Sequence, residues 1–108
     1  AQGGKHPSMV QAGVYSSVIH YLKAVDAAKT DDGTKVAAKM KELPTDDPLF
    51  GKGTVRADGR KIHPAYLFEV KKPAESKGPY DYYKLIATIP ANEAFRPLAE
   101  SDCPLVKK

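Results

Sequence analysis

The sequence is poor in several features that would announce a function. Cysteine occurs once, as Cys103, which excludes an internal disulfide and a cluster of thiolate metal ligands within the chain. No run of even twelve uninterrupted apolar residues occurs, so no segment reads as a membrane-spanning helix. No charged-then-apolar leader opens the chain, and a signal peptide is expected to lie outside it. Arginine is scarce: Arg56, Arg60 and Arg96 stand against fourteen lysines spread along the sequence. Readers of nucleic acid favour Arg, whose planar fork matches guanine edges and phosphate. A glycine-rich phosphate loop is missing as well, because Gly51-Lys52-Gly53 is too short and precedes a strand rather than a helix. Internal repeats and low-complexity stretches are absent.

What is present fits one small folded unit. The 108 residues are 42% hydrophobic and 28% charged, enough apolar material for a core in a single domain. The net charge of +4 reads as a solvated surface that keeps the protein soluble.

Residues 1–6 read as a lead-in, and Pro7-Ser8 opens a long helix. Val10, Val14, Val18, Leu22 and Val25 recur at spacings of four and three, widened by Tyr15, Ile19 and Tyr21. Ser16, Ser17, His20 and Lys23 are left as a narrow polar stripe, expected to face water. Thr30-Asp31-Asp32-Gly33 breaks the pattern and offers capping oxygens. A second helix is predicted over residues 34–43, with Val36, Ala37, Met40 and Leu43 inward, and Pro44 stops it. Residues 44–53, rich in Pro and Gly, are predicted to be a loop.

From there the period becomes two. Thr54-Val55-Arg56 and Arg60-Lys61-Ile62 flank Asp58-Gly59, a hairpin signal. Residues 65–70 and 82–89 read as strands, joined by a polar connector. A short turn of helix is predicted over residues 91–95. Two helices followed by a few strands leave large apolar helix faces with little sheet to cover them; either the strands pair within a compact α+β unit, or the chain is a piece of something larger, and the composition leaves both open.

Candidate chemistry is thin. Ser16, Ser17 and His20 bring hydroxyls near an imidazole on one helix, but no orienting acid or oxyanion donor is indicated. His6, His20 and His63 lack neighbours at metal-ligand spacing. Asp31-Asp32 and Asp46-Asp47 sit where caps and turns use Asp, without the alternating oxygens of a calcium loop. Tyr80, Tyr82 and Tyr83 near Lys77 and Lys84 suggest a stacking platform for single-stranded nucleic acid, yet strand alternation sends Tyr82 and Tyr83 to opposite faces. No catalytic residue, cofactor or metal site is expected.

One ordered succession of segments remains. It runs Pro7-Ser8-Met9-Val10-Gln11-Ala12-Gly13-Val14-Tyr15-Ser16, His20-Tyr21-Leu22-Lys23-Ala24-Val25, Val36-Ala37-Ala38-Lys39-Met40 and Val55-Arg56-Ala57-Asp58-Gly59-Arg60. Then follow Tyr66-Leu67-Phe68-Glu69-Val70-Lys71-Lys72-Pro73 and Phe95-Arg96-Pro97-Leu98-Ala99-Glu100. From about Pro7 to Val106 the chain resembles the C-terminal portion of a periplasmic solute-binding protein of an ABC importer, in the branched-chain amino acid (Leu/Ile/Val-binding) family.

The resemblance implies a C-terminal fragment of a two-lobed α/β receptor of the type I periplasmic binding fold, whose ligand cleft lies between lobes joined by three hinge strands. Residues 7–65 would belong to one lobe, residues 66–72 to a hinge crossing, and residues 73–108 to the other lobe. It implies capture of an amino acid or small organic acid in the bacterial periplasm, without chemistry, and delivery to a membrane permease. Met9, Val10 and Gln11, where the long helix begins, match a cleft contact of the family. The ligand's main anchors would lie in the remainder of the receptor, so this chain alone is expected to bind weakly or not at all. Partners so implied are the ligand, the permease, the remainder of the receptor and, for the fragment by itself, another copy. The alternative reading is a small basic module that binds nucleic acid, resting on the +4 charge and the tyrosines; an enzyme domain ranks third.

Overall fold

A computed structural model describes residues 3–104 and 106. Two helices come first, α1 (Met9–Ala28) and α2 (Gly33–Glu42). Ser8 starts α1 through a reciprocal cap: Gln11 N donates to Ser8 Oγ at 3.3 Å, and Ser8 N donates to Gln11 Oε1 at 2.8 Å. Two orphan donors of the first turn are thereby satisfied. Asp32 does the same for α2, accepting from Lys35 N at 2.9 Å. Both helices lie close to the spans expected from the periodicity. No helix among the described residues is long and apolar enough to cross a membrane.

Five strands follow: β1 (Thr45–Asp47), β2 (Gly51–Val55), β3 (Lys61–Ile62), β4 (Ala65–Val70) and β5 (Tyr83–Ile89). The first three form an antiparallel sheet in the order β1-β2-β3. Thr45 faces Gly53 and Asp47 faces Gly51 across the first pair, and Thr54 faces Ile62 across the second. Asp58-Gly59 makes the predicted hairpin turn, with Gly59 at φ +82°, a left-handed conformation natural to glycine. Residues 44–53, expected to be a loop, instead hold β1 and the start of β2. Their turn is closed by Asp47, whose Oδ1 accepts from Leu49 N and Phe50 N, both at 2.9 Å. This local carboxylate–backbone closure lets a stretch of weak strand formers pair. Gly53 is required there, because a Cβ would collide with Ile62 O and crowd Thr45 Oγ1.

Among the described residues β4 and β5 pair only with each other, in a two-stranded antiparallel ribbon running from Ala65–Ile89 to Val70–Tyr83, with an irregularity at Leu67/Phe68. Residues 91–95 form turns rather than helix: Glu93 N and Ala94 N both donate to Pro90 O at 3.0 Å. Short 3-10 turns lie at Pro73–Glu75 and Leu98–Glu100.

The packing reverses one expectation. α1 buries Ser16, His20 and Ala24 against α2 and β1, while Val10, Val14, Val18 and Leu22 stay exposed, Val10 at 68%. The polar stripe is therefore the inner face of α1 here. Hydrogen-bond partners explain how polar groups are tolerated inside, and the valine face is left without cover. The ribbon is equally bare, with Leu67, Phe68, Tyr83, Leu85 and Ile86 each at least half exposed. The molecule is correspondingly stretched. Its radius of gyration is 17.1 Å, against about 13 Å for a compact domain near this size.

Candidate functional site

A largely buried polar cluster, a three-residue lock, lies between α1 and the sheet. Ser16 Oγ donates to Asp47 Oδ2 at 2.6 Å, and Lys61 Nζ reaches the same oxygen at 2.8 Å while also contacting Ser16 Oγ. With the amides of Leu49 and Phe50, Asp47 accepts from four groups. Burial alone would push its carboxyl pKa up. The hydrogen bonds from Lys61, Ser16, Phe50 N and Leu49 N outweigh that and hold it well below the usual carboxylate range. Lys61 Nζ also lies 4.6 Å from the centre of the Phe50 ring.

The constellation does not join Ser16 to His20. The Ser16 hydroxyl is committed to Asp47, and the nearby imidazole is turned elsewhere. His20 Nε2 lies 2.8 Å from Met40 O; a carbonyl only accepts, so that nitrogen carries the proton. His20 is therefore not placed to take a proton from Ser16. Among the described residues no three His, Cys, Asp or Glu side chains come together as metal ligands. His6 stacks on Tyr80 with centroids 4.5 Å apart, and His63 lies between Phe50 and Phe95, at 5.0 and 5.3 Å.

Beside the lock, α1, the β2–β3 hairpin and the segment around Phe95 enclose an open cavity of about 730 Å³. Ser16, His20, Phe50, Lys61, His63 and Phe95 are among its walls. Thr45 borders it too, and its Oγ1 is buried without a hydrogen-bond partner in the structure.

Met9, Val10 and Gln11 lie at the other side of α1. Met9 is 84% exposed on the first turn. Val10 and Gln11 line an open apolar groove of about 510 Å³ with Val14, Tyr15, Val18 and Ile19. The three are neighbours, but the Oε1 of Gln11 is taken by the helix cap, leaving its NH₂ group to offer. Three residues upstream, the His6–Tyr80 stack brings the lead-in against the far end of the ribbon. Tyr82 and Tyr83 meet edge-on at 90°, not as parallel plates.

Sequence reasoning missed the lock. Its members are 14 to 45 residues apart, so no local pattern links them. The one available sign was Ser16 and His20, four apart on an otherwise apolar helix. Asp47 was read correctly as turn chemistry but not as the partner of α1.

A model of the periplasmic binding protein family matches residues 1–79. The chain belongs to that family. A crystal structure of a periplasmic binding protein from Burkholderia mallei superposes with a TM-score of 0.90 at 52% identity over 98% of this chain. A branched chain amino acid ABC transporter periplasmic ligand-binding protein from Burkholderia xenovorans LB400 superposes with 0.88 at 44% identity over 96%. This chain spans 28% of the length of each. No curated protein matches it. The comparisons lend no support to a nucleic-acid module.

Proposed function

We propose that this chain is the closing part of the substrate-binding component of an ABC importer. The whole receptor captures an amino acid or related small organic acid in the periplasm and hands it to a membrane permease, with no chemical step. The observation that carries this reading is the superposition over nearly the whole chain on two receptor structures at 44–52% identity. The name of the Burkholderia xenovorans relative favours a branched-chain amino acid as ligand.

In this reading residues 7–65 belong to one lobe, residues 66–72 form a hinge crossing, and residues 73–108 continue into the other lobe, from which the stretch around Phe95–Ser101 returns to lie against the hairpin of the first. Met9 and Val10 supply apolar wall, and Gln11 supplies its free NH₂ group, at the edge of the cleft. The positive end of α1 favours an anionic ligand group nearby. Ligand closure of the lobes buries the ligand, as expected where binding shifts a pre-existing open–closed equilibrium. The groups that grip the ligand's carboxylate and amine lie mainly outside this chain.

Calorimetry on the full-length receptor with L-leucine, L-isoleucine and L-valine tests this. Micromolar or tighter binding by the receptor, and little or none by this chain alone, is the expected result. Micromolar binding by this chain alone would overturn the placement of the anchors. No binding of these or of any other amino acid or small organic acid by the receptor would overturn the reading itself.

A further inference from the structure

The chain does not stay with the ribbon after β5. It turns at Pro90, and residues 94–103 come back to lie across the β2–β3 hairpin. Contacts of several kinds hold them there. Arg56 grips Asp58 with two arms, Nε to Oδ1 at 2.9 Å and Nη2 to Oδ2 at 2.7 Å, and its third nitrogen, Nη1, donates to Arg96 O at 2.8 Å. Ser101 Oγ donates to Asp58 Oδ2 at 3.4 Å. The Arg60 guanidinium lies 5.7 Å from the Phe95 ring centre, and Phe95 meets His63 edge-on. The side chains of Arg56 and Asp58 are only 20% and 10% exposed, so the clasp is largely sheltered from water.

The strands of the ribbon, by contrast, pack against no other strand or helix described in the chain. Its near end is joined to the body at two places, the covalent link at residues 63–64 and this returning segment, and its far end meets the lead-in to α1 through the His6–Tyr80 stack. A ribbon held by one link swivels freely. A second attachment beside the first restricts the motion towards a hinge of limited travel.

We propose that residues 94–103 act as a strap, clasped by Arg56, that sets the angle and limits the swing of the β4–β5 ribbon relative to the helix–hairpin body. This rests on the reading above, in which the ribbon crosses between lobes; the strap then biases the open–closed equilibrium. Arg56 is a positioning residue and need not touch ligand. Its role needs Arg, because one planar fork satisfies a carboxylate with two donors while a third addresses a carbonyl, which an ammonium group cannot copy in that geometry.

The test uses the full-length receptor carrying spin labels on non-natural ketone residues at positions 35 and 76, on α2 and at the far end of the ribbon, leaving Cys103 untouched. The distance distribution is recorded for the parent and for Arg56→Lys and Ser101→Ala, without ligand and with L-leucine. The strap predicts a broader or displaced unliganded distribution in Arg56→Lys, a smaller change of the same sense in Ser101→Ala, and an L-leucine affinity altered by about threefold or more in Arg56→Lys. Thermal melting of each variant identifies any that fails to fold, in which case Ser101→Ala decides. Unliganded distributions superimposable on the parent's in folded variants would overturn the strap. Failure of the parent to bind L-leucine or any other amino acid would instead count against the receptor reading, while the unliganded distributions still decide the strap.

Discussion

The helix–hairpin body and the β4–β5 ribbon solve the problem of stability in opposite ways. The body places polar residues inside and satisfies them: Ser16, Asp47 and Lys61 form a closed hydrogen-bonded set, and His20 bonds to Met40 O. The ribbon has a rich apolar sequence and almost nothing to bury it against, leaving Phe68 51% exposed and Tyr83 60% exposed. An isolated two-stranded ribbon is marginal in water. The outer face of α1 shares the ribbon's condition. Residues that look most like core by composition therefore lie exposed, and the local order of the chain depends strongly on a few buried polar contacts.

The strongest way to break that comparison is to remove the lock. Lys61→Ala leaves the Asp47 carboxylate sheltered and without its cation. A loss of about 2–3 kcal/mol is expected, below the 3–5 kcal/mol of a fully buried pair because Lys61 is 23% exposed. Phe68→Ala in the ribbon should cost under about 1 kcal/mol in this chain by itself, since half the ring is already in water. Thermal melts of the two variants side by side give the contrast directly; equal losses would abolish it.

Gly53→Ala strikes the sheet inside the body. The added methyl meets Ile62 O and Thr45 Oγ1, and a loss of about 1–3 kcal/mol follows from overpacking against backbone. Chemical denaturation would show it as a lowered midpoint with an unchanged slope.

Acid should act on the body through Asp47. Its carboxyl pKa is depressed on folding, so the stability it contributes is fully present above the unfolded value of about 4 and is lost as the pH falls below it. Asp58 and Asp81, held down by Arg56 and Lys71 respectively, act in the same direction. In Asp47→Asn the acid slope of stability, followed by denaturation at several pH values, should be shallower than in the parent. An unchanged slope would show that the lock is not ionised as described.

Two smaller effects sharpen the comparison at α1. Ser8→Ala removes the cap and should cost about 1 kcal/mol, visible as reduced helicity by circular dichroism. Val18→Lys, on the uncovered face, should leave the stability of this chain within about 0.5 kcal/mol. In sedimentation it should weaken any self-association through that face. A large loss of stability in the monomer would mean that the face is already covered.

Much of the fold was legible in the sequence. Pro7-Ser8 and Thr30-Asp31-Asp32-Gly33 marked the helix starts, Pro44 the second stop, Asp58-Gly59 the hairpin, and the apolar runs at 65–70 and 82–89 the ribbon. β1 was hidden because Asp46, Asp47 and Pro48 carry no strand preference; the strand exists through pairing with β2 and the turn closed by Asp47. The inward face of α1 was misread for a deeper reason. Its valines find no cover among the described residues, and the contacts inside the chain fall instead on Ser16, His20 and Ala24. Met9, Val10 and Gln11 came from the resemblance alone, and of the three only Gln11 acquires a local explanation, its place in the cap.

Hydrogen exchange of backbone amides, measured for this chain alone and for the full-length receptor, tests the account most directly. Residues 45–55 should be protected in both, while residues 66–70 and 83–88 should exchange rapidly in the chain alone and become protected by orders of magnitude in the receptor. Ribbon amides already as protected in the isolated chain as in the receptor would contradict it.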